Sequence, residues 1–179
     1  MARDFPGAFA ALRDILKAHS AGMVVQADTP KEYTVVTRAV LPNKQPMWFG
    51  CVRAGKSAVS YHLMALYFNP GLQSAVPPEL RPCKQGKTCF NFSRPDAALF
   101  GMLDELTRLG RQGFERHGLL EPGPVTQARL DAALRAGGED PEKLARVRKS
   151  MGKQAAAKRG ATLEKKRRVK GAGPRARGA

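Results

Sequence analysis

The sequence predicts an α+β fold, in which an antiparallel sheet carries an N-terminal and a C-terminal helix on one face and a basic tail follows. Three observations support this prediction. An amphipathic stretch of helical period opens the chain, several short β-branched or alternating stretches follow, and a second amphipathic stretch ends near residue 118. The 179 residues are enough for one core and too few for two large ones.

The first element is predicted as a helix over residues 5–20. Its apolar stripe recurs at helical spacing and consists of Phe5, Phe9, Leu12, Leu16 and His19. Strands are predicted at residues 23–27, 32–38, 47–53, 57–67 and 87–92. The third and fourth strands form a hairpin around Gly55. In the fourth strand Val59, Tyr61 and Leu63 alternate with Ser60 and His62, so the two sets face opposite sides of the sheet.

The second long helix is predicted after Ser93, which is a suitable capping residue, with Pro95 in the first turn and Gly118 at its end. Its expected buried stripe is Leu99, Met102, Leu103, Leu106 and Leu109. Three parts follow from this order: an α+β domain over residues 1–120, a hinge and short helix over 121–139, and a basic tail over 140–179. We expect that tail to be helical at first and then disordered.

Positive charge is concentrated at the C-terminal end of the chain. The formal net charge is +16, and residues 143–179 hold 14 basic and 1 acidic side chains, against 15 and 9 in residues 1–120. Such a segment attracts phosphate backbones without reading base sequence. The residues expected to do so are Lys149, Lys153, Lys158, Arg159, Lys165, Lys166, Arg167 and Arg168. The alternative is an extension that only increases solubility.

Several function classes are not expected. No apolar run is long enough to span a membrane, and the first residues lack the apolar stretch of a secretory signal, so we expect a cytoplasmic protein. The three cysteines are then thiols. Their spacing and that of the three histidines match no zinc-binding pattern, so neither a metal nor a cofactor is expected.

Residues 50–57 match the phosphate-binding motif G-x-x-x-x-G-K-[ST] letter for letter. A nucleotide-binding enzyme using this segment is therefore one hypothesis. We disfavour it, because that motif must follow a buried strand and open a helix, whereas the residues after Ser57 alternate at period two. A strand conformation on both sides of Lys56 would exclude the phosphate-loop geometry.

A polar set is expected on one face of the sheet, away from the aromatic rows. It consists of Lys56, Ser60, His62, Lys87, Cys89 and Asn91. Such a surface suits a small anion or a partner chain, although antiparallel sheets commonly expose one solvated face without any ligand. If their strands are neighbours, Cys89 and His62 would form a nucleophile pair; the alternative is that Cys89 is a small apolar side chain.

Two motifs together resemble the YdhG-like family of small bacterial domains, most of which have no assigned function. The first is the Gly-Lys turn and strand of residues 55–67, and the second is the Gly-Lys and Cys-Phe-x-Phe strand of residues 85–92. The resemblance covers about residues 5–118 and implies a non-enzymatic α+β sandwich. Some relatives are described as frataxin-like iron chaperones, which use exposed carboxylates. By this resemblance an intracellular iron-binding chaperone is the alternative function. We disfavour it, because here the first helix carries only Asp4 and Asp14.

Overall fold

A computed structural model describes residues 2–136 of the protein, and these residues build one seven-stranded sheet with helices. The strands are β1 (Val24–Thr29), β2 (Glu32–Val40), β3 (Pro46–Ala54), β4 (Val59–Leu63), β5 (Lys84–Gln85), β6 (Cys89–Phe92) and β7 (Gly123–Pro124). The order across the sheet is β1-β2-β3-β4-β6-β5, with antiparallel pairing throughout this path. The short β7 pairs in parallel with β2.

The helices are α1 (Phe5–Ala18), α2 (Ala65–Phe68), α3 (Pro70–Ser74), α4 (Ala97–Arg116) and α5 (Gln127–Ala136), with a 3-10 helix at Pro78–Cys83. The first helix packs on β3 and β4 and against α4. This arrangement confirms the predicted α+β class, with an antiparallel sheet and the two long helices on one face.

The core lies between the sheet and these helices, and aromatic contacts mark it. Phe49 of β3 meets Phe114 of α4 edge-on with ring centres 5.6 Å apart, and Phe92 meets Phe100 at 5.0 Å. The α1 stripe is buried as predicted at Phe9, Leu12 and Leu16. Aromatic pairs of this kind add about 1 kcal/mol each beyond the area that they bury.

The predictions for α4 are wrong in two details. Asp96, not Ser93, caps the helix, since its Oδ1 accepts from the amide of Leu99 at 3.0 Å. The buried face is rotated relative to the predicted one. It keeps Leu103 and Leu106 but otherwise consists of Phe100, Thr107, Gly110, Gly113 and Phe114. The prediction followed the leucines, whereas the small glycines mark the side where the helix approaches its neighbours.

Two further segments differ from the sequence-based expectation. The strand predicted over residues 57–67 ends at Leu63, because the backbone at Met64 is helical and α2 follows. In the segment predicted as a hinge and short helix, residues 123–124 form β7 instead of a free hinge, whereas the predicted helix is present as α5, with Leu130, Ala133 and Leu134 buried. The predicted tail, residues 140–179, lies outside the described residues.

Candidate functional site

Two polar rows cross the face of the sheet that lies opposite α1 and α4. The register pairs residues directly across neighbouring strands. The first row is Thr34, Cys51, His62, Cys89 and Gln85, and the second is Glu32, Arg53, Ser60 and Asn91. Their orientation follows from the alternation in β4: Tyr61 bonds to Thr107 of α4, so the flanking Ser60 and His62 point the other way.

Four of the six predicted face residues come together. Ser60 donates a hydrogen bond to Oδ1 of Asn91 at 2.9 Å, and Nδ2 of Asn91 donates to Gln85 at 2.7 Å. One row away, Sγ of Cys89 lies 3.6 Å from Nε2 of His62 and 3.7 Å from Oδ1 of Asn91. The amide of Asn91 is therefore held with its oxygen toward Cys89.

The two predicted lysines are at the margins of this face. Lys56 is exposed in the turn between β3 and β4, near the end of the sheet where β6 finishes. Lys87 is in the turn before β6, at the other end, with its ammonium 5.2 Å from the ring centre of Tyr67. Lys56 precedes β4 and Lys87 precedes β6. Because these two strands run antiparallel, the two lysines lie at opposite ends of the sheet.

The thiol and the imidazole are both held in their neutral forms. Burial raises the pKa of the Cys89 thiol, and the interaction with the Ser60 side chain only partly opposes that effect. Burial lowers the pKa of His62, and the positive charge of Arg53 lowers it further. A nucleophilic cysteine needs a thiolate, which an imidazolium partner normally stabilises. This pair therefore lacks the charge state of an activated nucleophile.

The sequence-based prediction did not include five residues that complete the two rows, namely Glu32, Thr34, Cys51, Arg53 and Gln85. Cys51 is 2% exposed and accepts a hydrogen bond from the Thr34 hydroxyl at 3.2 Å. Arg53 forms an ion pair with Glu32 at 2.9 Å. The hairpin turn at Gly55 could have located Cys51 and Arg53, because counting residues outward from the turn pairs them with His62 and Ser60.

The segment that matches the phosphate-binding motif is a β-hairpin. Residues 50–54 belong to β3, residues 59–63 form β4, and no helix begins at Ser57. The first glycine of the motif has a packing role: a Cβ at Gly50 would lie 2.7 Å from the Leu16 side chain and 3.0 Å from a backbone oxygen of β4. The geometry of a phosphate loop, an amide cradle opening a helix, is absent from these residues.

The remaining predictions concern nucleic-acid contacts, metal ligands, membrane helices and disulfides. All eight candidate nucleic-acid contacts, from Lys149 to Arg168, lie outside the described residues. Within residues 2–136, no group of three or more His, Cys, Asp or Glu side chains is placed to hold a metal ion. The same residues include no helix with the length and apolarity that crossing a membrane requires. None of the three cysteines, all of which lie in this range, forms a disulfide.

Comparison with known proteins gives no relative. No family model, no curated protein and no solved structure matches the chain. The YdhG-like resemblance therefore stays a prediction.

Proposed function

We propose that this chain is a non-enzymatic YdhG-like α+β domain whose basic C-terminal segment associates with nucleic acid without reading its sequence. The uneven charge carries the proposal, with 14 basic and 1 acidic residues between positions 143 and 179. A cationic segment of this density releases counterions from a phosphate backbone. The same segment has no aromatic residue, so stacking on bases does not contribute.

The charge of the folded part supports assigning this role to the tail. Four arginines of the described residues are neutralised in ion pairs, in the combinations Arg13–Asp28, Arg53–Glu32, Arg108–Glu105 and Arg111–Glu115. Ion pairs of this kind reduce the potential that the body presents to a polyanion. The segment after residue 142 contains one acidic residue, Glu164, so comparable neutralisation within it is limited.

The candidate site supports the non-enzymatic part of the proposal. On the face with the two polar rows, Cys89 and His62 form the contact that resembles a thiol–imidazole nucleophile pair. The pKa of this thiol is raised, and the pKa of the imidazole is lowered. Both directions oppose transfer of the thiol proton to the ring. Covalent catalysis by a thiol requires that transfer.

The test measures binding of a fluorescently labelled DNA duplex by anisotropy across a salt series from low to high ionic strength. The variant K165Q/K166Q/R167Q/R168Q removes four predicted phosphate contacts. We expect weaker binding at every salt concentration and a slope of log Kobs against log [salt] reduced by up to about 3.6, because each contact contributes about 0.9. Duplexes of unrelated sequence should bind equally well.

A matched control removes the same charge from the folded body. The variant K17Q/K31Q/R81Q/R116Q changes four exposed basic residues that lie on α1, the β1–β2 turn, the 3-10 helix and α4. It should keep nearly the full salt slope. Equal losses in the two variants would assign the attraction to net charge alone, and absence of binding at low salt would refute the proposal.

A further inference from the structure

The contact between Cys89 and His62 has the dimensions of two ligands on one metal ion. A tetrahedral zinc with a Zn–S bond of about 2.3 Å and a Zn–N bond of about 2.05 Å separates its sulfur and nitrogen by about 3.5 Å. In the structure Sγ of Cys89 and Nε2 of His62 are 3.6 Å apart. From this geometry we propose that Cys89 and His62 bind one Zn²⁺ ion, or another divalent cation that, like Zn²⁺, binds sulfur and nitrogen ligands.

A third donor lies at the matching distance. For a Zn–O bond of about 2.1 Å, the sulfur-to-oxygen separation on a tetrahedral ion is about 3.6 Å. Oδ1 of Asn91 is 3.7 Å from Sγ of Cys89, and the bonds to Ser60 and Gln85 fix the direction of this oxygen. The resulting set has one sulfur, one nitrogen and one oxygen donor. Zinc with three protein ligands keeps its fourth position open for solvent or another ligand.

The paired strands position these three donor atoms even without a bound metal. Cys89 and His62 are directly paired across β4 and β6, and Asn91 is two residues along β6 on the same face. Donors carried on paired strands need little reorganisation to bind. The site is also accessible, since all three side chains are half-buried. Cys51 is next in the row, but its 2% exposure and its bond from Thr34 keep it beneath the surface.

The remaining histidines and cysteines of the chain are placed elsewhere. All three residues of each type lie within residues 2–136. His19 bonds to Asp104 between α1 and α4, His117 follows α4, and Cys83 ends the 3-10 helix. Because the tail contains neither a cysteine nor a histidine, zinc binding through a thiolate and an imidazole can be assigned within the folded body. The inference does not depend on the nucleic-acid proposal.

Binding must displace the thiol proton. The balanced step is Zn²⁺ + Cys89–SH + His62 giving a zinc thiolate–imidazole complex and one H⁺ released to solvent. An imidazole with its ordinary pKa of about 6.5 is largely neutral at pH 7 and contributes almost no proton, whereas a thiol with its ordinary pKa of about 8.5 contributes one. The site therefore releases close to one proton for each zinc bound at pH 7.

The experiment is a calorimetric zinc titration of the full, reduced chain in buffers of different ionisation enthalpy, which yields both stoichiometry and proton release. We expect one zinc per chain and close to one proton released. C89S and H62Q should each weaken binding at least tenfold. The control C83S removes another half-buried thiol and should leave the affinity unchanged. Substituting cobalt(II) for zinc should produce a thiolate-to-metal charge-transfer band that C89S abolishes.

Each outcome decides the proposal. One zinc with one released proton, lost in C89S and H62Q, supports it. Absence of zinc binding at 100-fold molar excess overturns it, as does binding that releases no proton, since carboxylate sites give that result. Equal affinities of C89S, H62Q and the unmodified chain also overturn it. If either variant fails to fold, the cobalt band and the proton count of the unmodified chain show whether a thiolate binds the metal. Their persistence in C83S then assigns the thiolate to the polar face, and their loss in C83S overturns the proposal.

Discussion

The buried hydrogen-bond chain between β4 and α4 yields a sharp prediction about stability. The hydroxyls of Tyr61 and Thr107 lie 2.8 Å apart, and both residues are 0% exposed. The Thr107 hydroxyl donates to the carbonyl of Leu103 at 2.7 Å. Since that bond uses the threonine proton, Tyr61 must be the donor toward Thr107.

The direction of the chain makes the two single substitutions unequal. T107V replaces the hydroxyl with a methyl group of similar size and leaves the Tyr61 hydroxyl buried without an acceptor, which costs about 1–3 kcal/mol. Y61F removes the outer donor, while Thr107 keeps its bond to Leu103, so the expected cost is about 0.5–1.5 kcal/mol. In the double variant no buried hydroxyl is left unpaired, so its cost should be below the sum by about 1–2 kcal/mol.

Urea unfolding followed by circular dichroism would measure all four chains at pH 7. A cost of about 2 kcal/mol for T107V corresponds to a fall in Tm of about 4–8 °C for a chain of this size. The reasoning would be refuted if T107V cost less than Y61F, or if the two substitutions were additive. Either result would mean that Tyr61 does not depend on Thr107 for its hydrogen bond.

Three other predictions concern the helices and pH. Within α4, G101A should stabilise the protein by about 1 kcal/mol, because a Cβ at this position meets nothing within 4 Å. G110A should destabilise it by about 1–2 kcal/mol, because its Cβ would lie 2.7 Å from that of Ala65. The urea midpoints of the two variants should therefore move in opposite directions, and equal shifts would contradict this. Arg111 donates to two carbonyls beyond the end of α1 at 2.8 and 2.9 Å, so R111M should cost about 1–2 kcal/mol, and an unchanged thermal midpoint would count against that role. Burial raises the pKa of Tyr61 far above its usual value of about 10, so the folded state keeps a proton that the unfolded state loses. The contribution of Tyr61 to stability should be constant below about pH 10 and fall above it by about 1.4 kcal/mol per pH unit, in addition to the loss from the half-buried thiols, whose pKa values are also raised. Unfolding in urea between pH 8 and 11 should show a shallower fall for Y61F, and parallel curves would refute the assignment.

The local elements of this protein were predictable because they depend on short-range periodicity. The 3.6-residue period of Leu12 and Leu16 predicted α1, and the alternation of Tyr61 with His62 predicted which face of β4 each side chain occupies. The same alternation selected Ser60, His62, Cys89 and Asn91 as a common polar face, and these four are in contact or paired in the structure. Burial of one sheet face fixes this alternation for every strand.

The wrong predictions concern features that depend on contacts between residues far apart in the sequence. The buried face of α4 could not be read from its leucines, because the position of Ala65 in space determines that Gly110 faces inward. The spacing of apolar residues shows that a segment is helical, but the elements that pack against the helix determine which of its sides is buried. The same holds for the cap, since Asp96 rather than Ser93 accepts from the amide of Leu99.

From the sequence alone came the α+β class, the concentration of basic residues after position 142 and four of the residues on the polar face. The tertiary structure decided the strand order and register, and these set Cys89 3.6 Å from His62 and buried Cys51 in the same row. Periodicity is a property of neighbouring residues, whereas a distance between side chains 27 positions apart exists only after the strands have paired.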